Sequence, residues 1–117
     1  MTQTLNTNRQ ILLASRPYAA PTPNDFALVN TDKPIPNDGQ VLVRTVFLSL
    51  DPYMRGRMND TKSYAEPVGL NEVMVGGSVC RVETSKHQEY KQGDWVVAFG
   101  GWQDYSVIEG SELLKLD

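Results

Sequence analysis

Cysteine and histidine, the side chains that most often ligate metals or act as nucleophiles, are nearly missing: the 117 residues hold one of each, Cys80 and His87. A lone Cys makes no internal disulfide and a lone His anchors no His-rich cluster, so zinc is not expected. Positive charge is short as well. Against 14 Asp plus Glu stand 11 Lys plus Arg, a net charge of −3, whereas a duplex-binding surface needs clustered cations to displace counterions from phosphates. Nucleic acid is therefore not an expected partner. Long apolar runs are missing too: the longest, Trp95 to Phe99, has five residues, far below the roughly 20 of a membrane-crossing helix. No membrane partner is expected. The first ten residues, MTQTLNTNRQ, lack the basic start and apolar stretch of a secretion signal, which makes the cytoplasm the expected location. Glycine-rich phosphate loops are also absent. A dinucleotide cradle places backbone N–H groups between a strand and a helix, and neither G-x-G-x-x-G nor G-x-x-x-x-G-K occurs.

What is present suits a globular domain. With 40% hydrophobic and 21% charged residues, the composition lies well away from that of disordered chains, and residues 1–117 fit one domain. No 3.6-residue apolar period lasts ten residues. Short apolar stretches alternate instead with Pro, Gly, Asn and Asp, which predicts a mainly β fold with short helical turns. Strands are expected at Gln10–Ser15, Phe26–Asn30, Gln40–Leu50, Val73–Thr84, Trp95–Phe99, Gln103–Ile108 and, briefly, Leu113–Leu116. Gln40–Leu50 carries apolar residues on both faces, interrupted by Arg44, as a mostly buried strand would. Asp51-Pro52 is expected to open a helical turn, with Asp51 as its cap. Asn59–Pro67 reads as a loop, and the pairs Gly76-Gly77 and Gly100-Gly101 read as bulges, close approaches or turns.

Few constellations invite chemistry. His87 lies in the polar run Glu83–Glu89, which reads as a solvated loop, and Cys80 in Ser78–Val82 reads as a small buried hydrophobe. The segment Leu48-Ser49-Leu50-Asp51-Pro52-Tyr53-Met54-Arg55 differs: a strand ends in a turn that presents carboxylate, phenol, thioether and guanidinium together. The same residues also suit a purely structural role, with Asp51 capping, Arg55 pairing with Asp51, and Tyr53 and Met54 in the core.

That segment, followed in order by Val75-Gly76-Gly77-Ser78-Val79-Cys80-Arg81-Val82, Gly93-Asp94-Trp95-Val96-Val97 and Gly101-Trp102-Gln103-Asp104-Tyr105, resembles the medium-chain dehydrogenase/reductase superfamily. Within it, the likeness is to the zinc-independent alkenal and prostaglandin reductases. It covers nearly the whole chain, and Ser-x-Asp-Pro-Tyr-Met-Arg is its most diagnostic element. Where zinc alcohol dehydrogenases carry a metal-binding Cys the sequence has Ser49 to Asp51, and where they carry His and Glu it has Val73 and Met74. Neither Val nor Met is an ordinary zinc ligand.

The resemblance implies a GroES-like, partly open β-barrel that packs, in the full protein, against a Rossmann domain not contained in residues 1–117. It implies NADPH-dependent reduction of the carbon–carbon double bond of an enal or enone, without zinc. Hydride goes to the β-carbon, and the enolate then needs a hydrogen-bond donor at oxygen and a proton at the α-carbon. By the same likeness, Tyr53 faces substrate and nicotinamide as the candidate catalytic hydrogen-bond donor, and Pro52 shapes that wall of the cofactor cleft. Tyr64, Phe99, Gly100, Gly101 and Trp102 line the substrate pocket, while Arg55 and Arg57 are structural or surface groups. NADPH is held mainly by the second domain, and the full-length protein is expected to be a homodimer with a small-molecule enone or enal substrate. Ending at Asp117, the chain is expected to be part of a longer protein and inactive alone. A quinone oxidoreductase of the same superfamily and a stand-alone GroES-like binding or assembly module are the alternatives.

Overall fold

Strand Gln40–Leu48 (β3) is the hub of the computed structural model, which describes residues 7–59 and 66–116. It pairs antiparallel on one side with Ser78–Ser85 (β4) and on the other with Tyr105–Glu109 (β6), and β4 passes the ladder on to Trp95–Ala98 (β5) and Leu114–Lys115 (β7). The order of this five-stranded sheet is β6-β3-β4-β5-β7. Thr7–Leu13 (β1) and Phe26–Asp32 (β2) form a separate antiparallel pair. Bridges from Gln10 to Gln103 and from Leu12 to Val73 lean the small sheet on the large one without closing the ring. The result is the mainly β, partly open GroES-like barrel, with one four-residue helical turn, Tyr53–Gly56 (α1).

Two apolar clusters hold it together. One, between the strands, comprises Val41, Val43, Cys80, Val82, Val96 and Ala98. The other gathers Leu13, Met54, Met58, Val68 and Met74, flanked by Phe26, Tyr53, Val75 and Trp102, and ties α1 to the first strand. Each fully buried aliphatic side chain contributes about 1.5–3 kcal/mol relative to exposure.

Several expectations shift. The first strand runs Thr7–Leu13 rather than Gln10–Ser15, because the polar Asn8 is buried and occupied: its Nδ2 donates to Gln103 Oε1 (2.9 Å) and its Oδ1 accepts from the Tyr105 N–H (2.8 Å). Strand β3 is buried only through Val43. Beyond it Phe47 and Leu50 are 66% and 72% exposed, so its apolar second half forms surface rather than core. Gly76-Gly77 precedes β4, which begins at Ser78, and the ladder's two irregularities lie elsewhere, at Glu83 of β4 opposite Leu42/Val43 and at Val46 of β3 between Thr45 and Phe47. His87 is half-buried, its ring edge-on to Tyr90 and close against Gly110, instead of solvated.

Candidate functional site

The chain end of β3 and the strands beside it enclose a concavity of about 390 Å³. Phe47, Leu48, Val79, Val97 and Phe99 make it apolar, and Ser49, Asp51, Tyr53 and Ser78 supply its polar groups. Register explains the apolar floor: Phe47 pairs with Val79, and Val79 with Val97, so one rung of three strands presents three apolar side chains to the same side. Other hollows are larger, such as one of about 550 Å³, but that one is lined by Arg9, Arg44, Asp104 and other polar residues. Apolar walls with a few converging polar groups better fit a small organic ligand.

Strand β3 leads directly into the site. The Ser49 N–H donates to the Gly77 carbonyl (3.0 Å), and the Ser49 hydroxyl donates to Asp51 Oδ2 (2.8 Å). The Asp51 carboxylate is thus turned to Ser49 and does not cap the helical turn, while its carbonyl accepts the Met54 N–H (3.0 Å). Pro52 already has helical dihedrals, φ −57° and ψ −30°, and launches the turn through its fixed ring. Met54 on the inner side is buried at 3% exposure, which leaves Tyr53 half-buried at the rim. Among the described residues, no hydrogen bond engages the Tyr53 phenol. Arg55 donates to the carbonyls of Pro17 and Ala19 and to Asn59 Oδ1 rather than to Asp51. Arg57 donates to the Glu66 carbonyl (2.8 Å). Both guanidiniums tie loops to the turn.

Of the residues singled out in the sequence, Tyr53 and Phe99 meet in this concavity. Phe99 is 75% exposed, and a Cβ on Gly77 would lie 3.3 Å from its ring. Pro52 is exposed on the adjoining turn. Gly100, Gly101 and Trp102 point elsewhere. Gly100 is pressed against the Ser106 hydroxyl, Gly101 against the Met74 carbonyl, and Trp102 stacks on Phe26 (5.5 Å between centroids) in the second apolar cluster. Tyr64 lies outside the described residues. Phe47, Val79 and Val97 line the concavity although the sequence offered no sign of it; their shared rung was the missing signal.

Cys80, behind the floor, is fully buried, and burial pushes its thiol up although it shares a hydrogen bond with the Ser78 hydroxyl and donates one to Thr45 Oγ1. It behaves as core. Val73 bridges Leu12 and Met74 is fully buried in the second cluster, so both are spent on packing. Among the described residues, no group of three or more His, Cys, Asp or Glu is placed to hold a metal ion, and no helix is long and apolar enough to cross a membrane.

Residues 9–116 match the family described as the N-terminal domain of oxidoreductase. The chain is 54% identical over 116 residues to the NADPH-dependent curcumin reductase of Escherichia coli (strain K12), covering 99% of itself and 34% of that protein. Prostaglandin reductase 1 of Oryctolagus cuniculus is 38% identical over 99 residues, 85% of this chain and 26% of that one. Among solved structures, CurA from Vibrio vulnificus superposes with a TM-score of 0.89 at 62% identity, over 92% of this chain and 32% of that one, and CurA has also been solved in complex with NADPH. The chain spans about a third of the length of the curcumin reductase it matches. It belongs to the oxidoreductase N-terminal domain family and, among medium-chain dehydrogenases/reductases, is homologous to the N-terminal domain of the curcumin and prostaglandin reductases.

Proposed function

We propose that this chain forms the substrate-side wall of an NADPH-dependent reductase acting on the carbon–carbon double bond of α,β-unsaturated aldehydes and ketones, with residues 1–117 as its catalytic domain and a separate cofactor domain. The observation that carries it is the apolar concavity with Tyr53 at its rim and Phe99 at its mouth, in a chain 54% identical to an NADPH-dependent curcumin reductase.

The residues fit one side of a nicotinamide and no more. Apolar side chains and the side-chain-free Gly77 leave room for a flat ring, whereas the only described α-helix has four residues and no glycine-rich turn leads into it, so the phosphates need another domain. NADPH supplies the hydride when bound. Phe47 and Phe99 hold the apolar part of the substrate and exclude water, which strengthens every hydrogen bond inside. The Tyr53 phenol donates to the substrate oxygen as enolate charge builds there. Asp51, held by Ser49, keeps the strand end in register with the turn. Pro52 shapes the cofactor side of the wall, and Tyr64 joins the pocket in the same proposal, whereas Gly100, Gly101 and Trp102 support it from behind. Zinc takes no part, since Val73 and Met74 offer no ordinary ligand. A cytoplasmic homodimer is the form proposed for the whole protein.

The test is Tyr53→Phe in the full-length enzyme. Loss of one donor to a developing oxyanion costs on the order of 100-fold in turnover, while the melting temperature should barely move. Unchanged enone kinetics would remove Tyr53 from the chemistry. A wild-type enzyme that oxidises NADPH with quinones but with no enone would overturn the reaction class.

A further inference from the structure

The five-stranded sheet carries a second rung for which the concavity at Tyr53 has no use. Register places Tyr105 of β6 opposite Arg44 of β3, Arg44 opposite Arg81 of β4, and Arg81 opposite Trp95 of β5. Directly paired residues share a face of a sheet and successive rungs alternate. The neighbouring pairs Val43–Val82 and Cys80–Val96 point into the core, so the row Tyr105–Arg44–Arg81–Trp95 lies on the opposite, outer face. Arg44 and Arg81 are exposed there.

Two guanidinium groups on directly opposed positions repel one another, which destabilises a strand pair unless a counter-charge sits between them. The carboxylates nearby are engaged first by other cations, although Asp104 also feels the Arg44 charge at longer range. Arg9 pairs with Asp104 (2.9 Å) and Lys33 with Glu83 (2.7 Å), Lys33 also lying 4.6 Å above the Tyr105 ring. Among the described residues, neither Arg44 nor Arg81 has a carboxylate within ion-pair distance. Arg81 is held in place: its guanidinium stacks 5.1 Å from the Trp95 ring and its Nε donates to the Gly93 carbonyl (3.2 Å). Between the two arginines the surface is concave, a hollow of about 400 Å³ lined also by Glu83, Gln92, Gly93 and Tyr105.

We propose that this hollow is a binding site for a phosphoryl anion, with Arg44 and Arg81 each contributing a guanidinium fork. A carboxylate offers two oxygens and saturates one fork; a phosphoryl group offers three and serves both. Binding relieves the cross-strand repulsion and couples the anion to the stability of β3 on β4. The site is independent of the reductase activity proposed above and stands or falls without it. Its ligand is free phosphate or the terminal group of a phosphorylated metabolite.

The test compares melting temperatures of the protein at equal ionic strength in sodium chloride, inorganic phosphate, glycerol phosphate and succinate. A ligand at about tenfold its Kd raises the midpoint of a domain of this size by about 6 °C. The wild type should gain this in inorganic phosphate or glycerol phosphate over chloride, and Arg44→Gln and Arg81→Gln should lose most of the gain while matching or exceeding the wild type in chloride alone. A gain with inorganic phosphate only assigns the site to the free ion; a gain with both assigns it to the phosphoryl group of either source. Equal gains in wild type and variants would reduce the effect to general solute exclusion and overturn the proposal. So would no gain over chloride, or succinate performing as well as phosphate.

Discussion

Glycine at position 101 is a requirement of the backbone, and a series of three Gly→Ala substitutions measures why. Gly56, in α1, has open space where a Cβ would go, so alanine there should be neutral or stabilise by up to about 1 kcal/mol through helix propensity. Gly39 has φ +81° and likewise nothing within 4 Å; alanine there meets only the left-handed backbone cost, about 1–2 kcal/mol. Gly101 combines φ +82° with a Cβ position 2.8 Å from the Met74 carbonyl oxygen and 3.0 Å from Val73 Cγ1. That carbonyl cannot swing away freely, because it accepts the Trp102 N–H at 2.8 Å. Overpacking against a fixed neighbour adds on the order of 1–3 kcal/mol, so Gly101→Ala should cost about 3–4 kcal/mol. With a urea slope near 2 kcal/mol/M, the midpoint should fall by about 1.5–2 M. Urea unfolding followed by tryptophan fluorescence gives all three values. If Gly101→Ala costs no more than Gly39→Ala, the close approach to Met74 is not a constraint; if Gly39→Ala costs no more than Gly56→Ala, the positive-φ argument fails for both.

Three further outcomes are expected. The Asp25 carboxyl is held below its usual range first by the Thr22 N–H, Asp94 by the Lys91 N–H and Asp104 by the Arg9 side chain; depressed carboxylates stabilise above their unfolded values near 3.9, so stability should be full above about pH 5 and fall as pH drops through 4. Urea midpoints unchanged between pH 5 and 3 would contradict this. Cys80, buried and with its thiol pushed up by desolvation, should react with a thiol reagent only at the rate of unfolding, and rapid native-state labelling would refute its core role. The exposed Phe47, Leu50, Phe99 and Leu114 should promote self-association of the isolated chain, which a single monomeric species in sedimentation across concentrations would disprove.

Most of the strands are legible because Pro, Gly, Asn and Asp punctuate them: Pro34 to Gly39 ends one and opens the next, and the step from Gln40 onward is visible in composition alone. Strand ends are less so. Thr7 to Arg9 read as polar coil, yet they pair because Asn8 and Arg9 find partners at Gln103, Asp104 and Tyr105, some 95 residues away, and local patterning carries no trace of such partners. The candidate site divides in the same way. Tyr53 stands out through its Pro-containing turn, whereas Phe99, read as the last residue of an apolar strand, is singled out only by the family resemblance. Trp102 looked equivalent to Phe99, but the positive φ of Gly101 turns the chain so that its indole stacks on Phe26 instead.

Register is what converts such lists into surfaces. Arg44 reads along the chain as a lone polar interruption of an apolar strand, and Arg81 as one exposed position in another. Pairing β3 with β4 makes them direct neighbours and sets them between Tyr105 and Trp95. Two residues further along β4 and β5, and three along β3 because Val46 is an extra residue there, the same ladder aligns Phe47, Val79 and Val97 beneath Tyr53. A one-residue slip of β4 would send its members of both rungs, Arg81 and Val79, to the core face and bring Cys80 and Val82 out. The apolar wall beside Tyr53 and the arginine pair are therefore specified by the same event, the burial of Val41, Val43, Cys80 and Val82. A substitution that loosens that cluster, such as Val43→Ala, should weaken both surfaces together rather than either one alone.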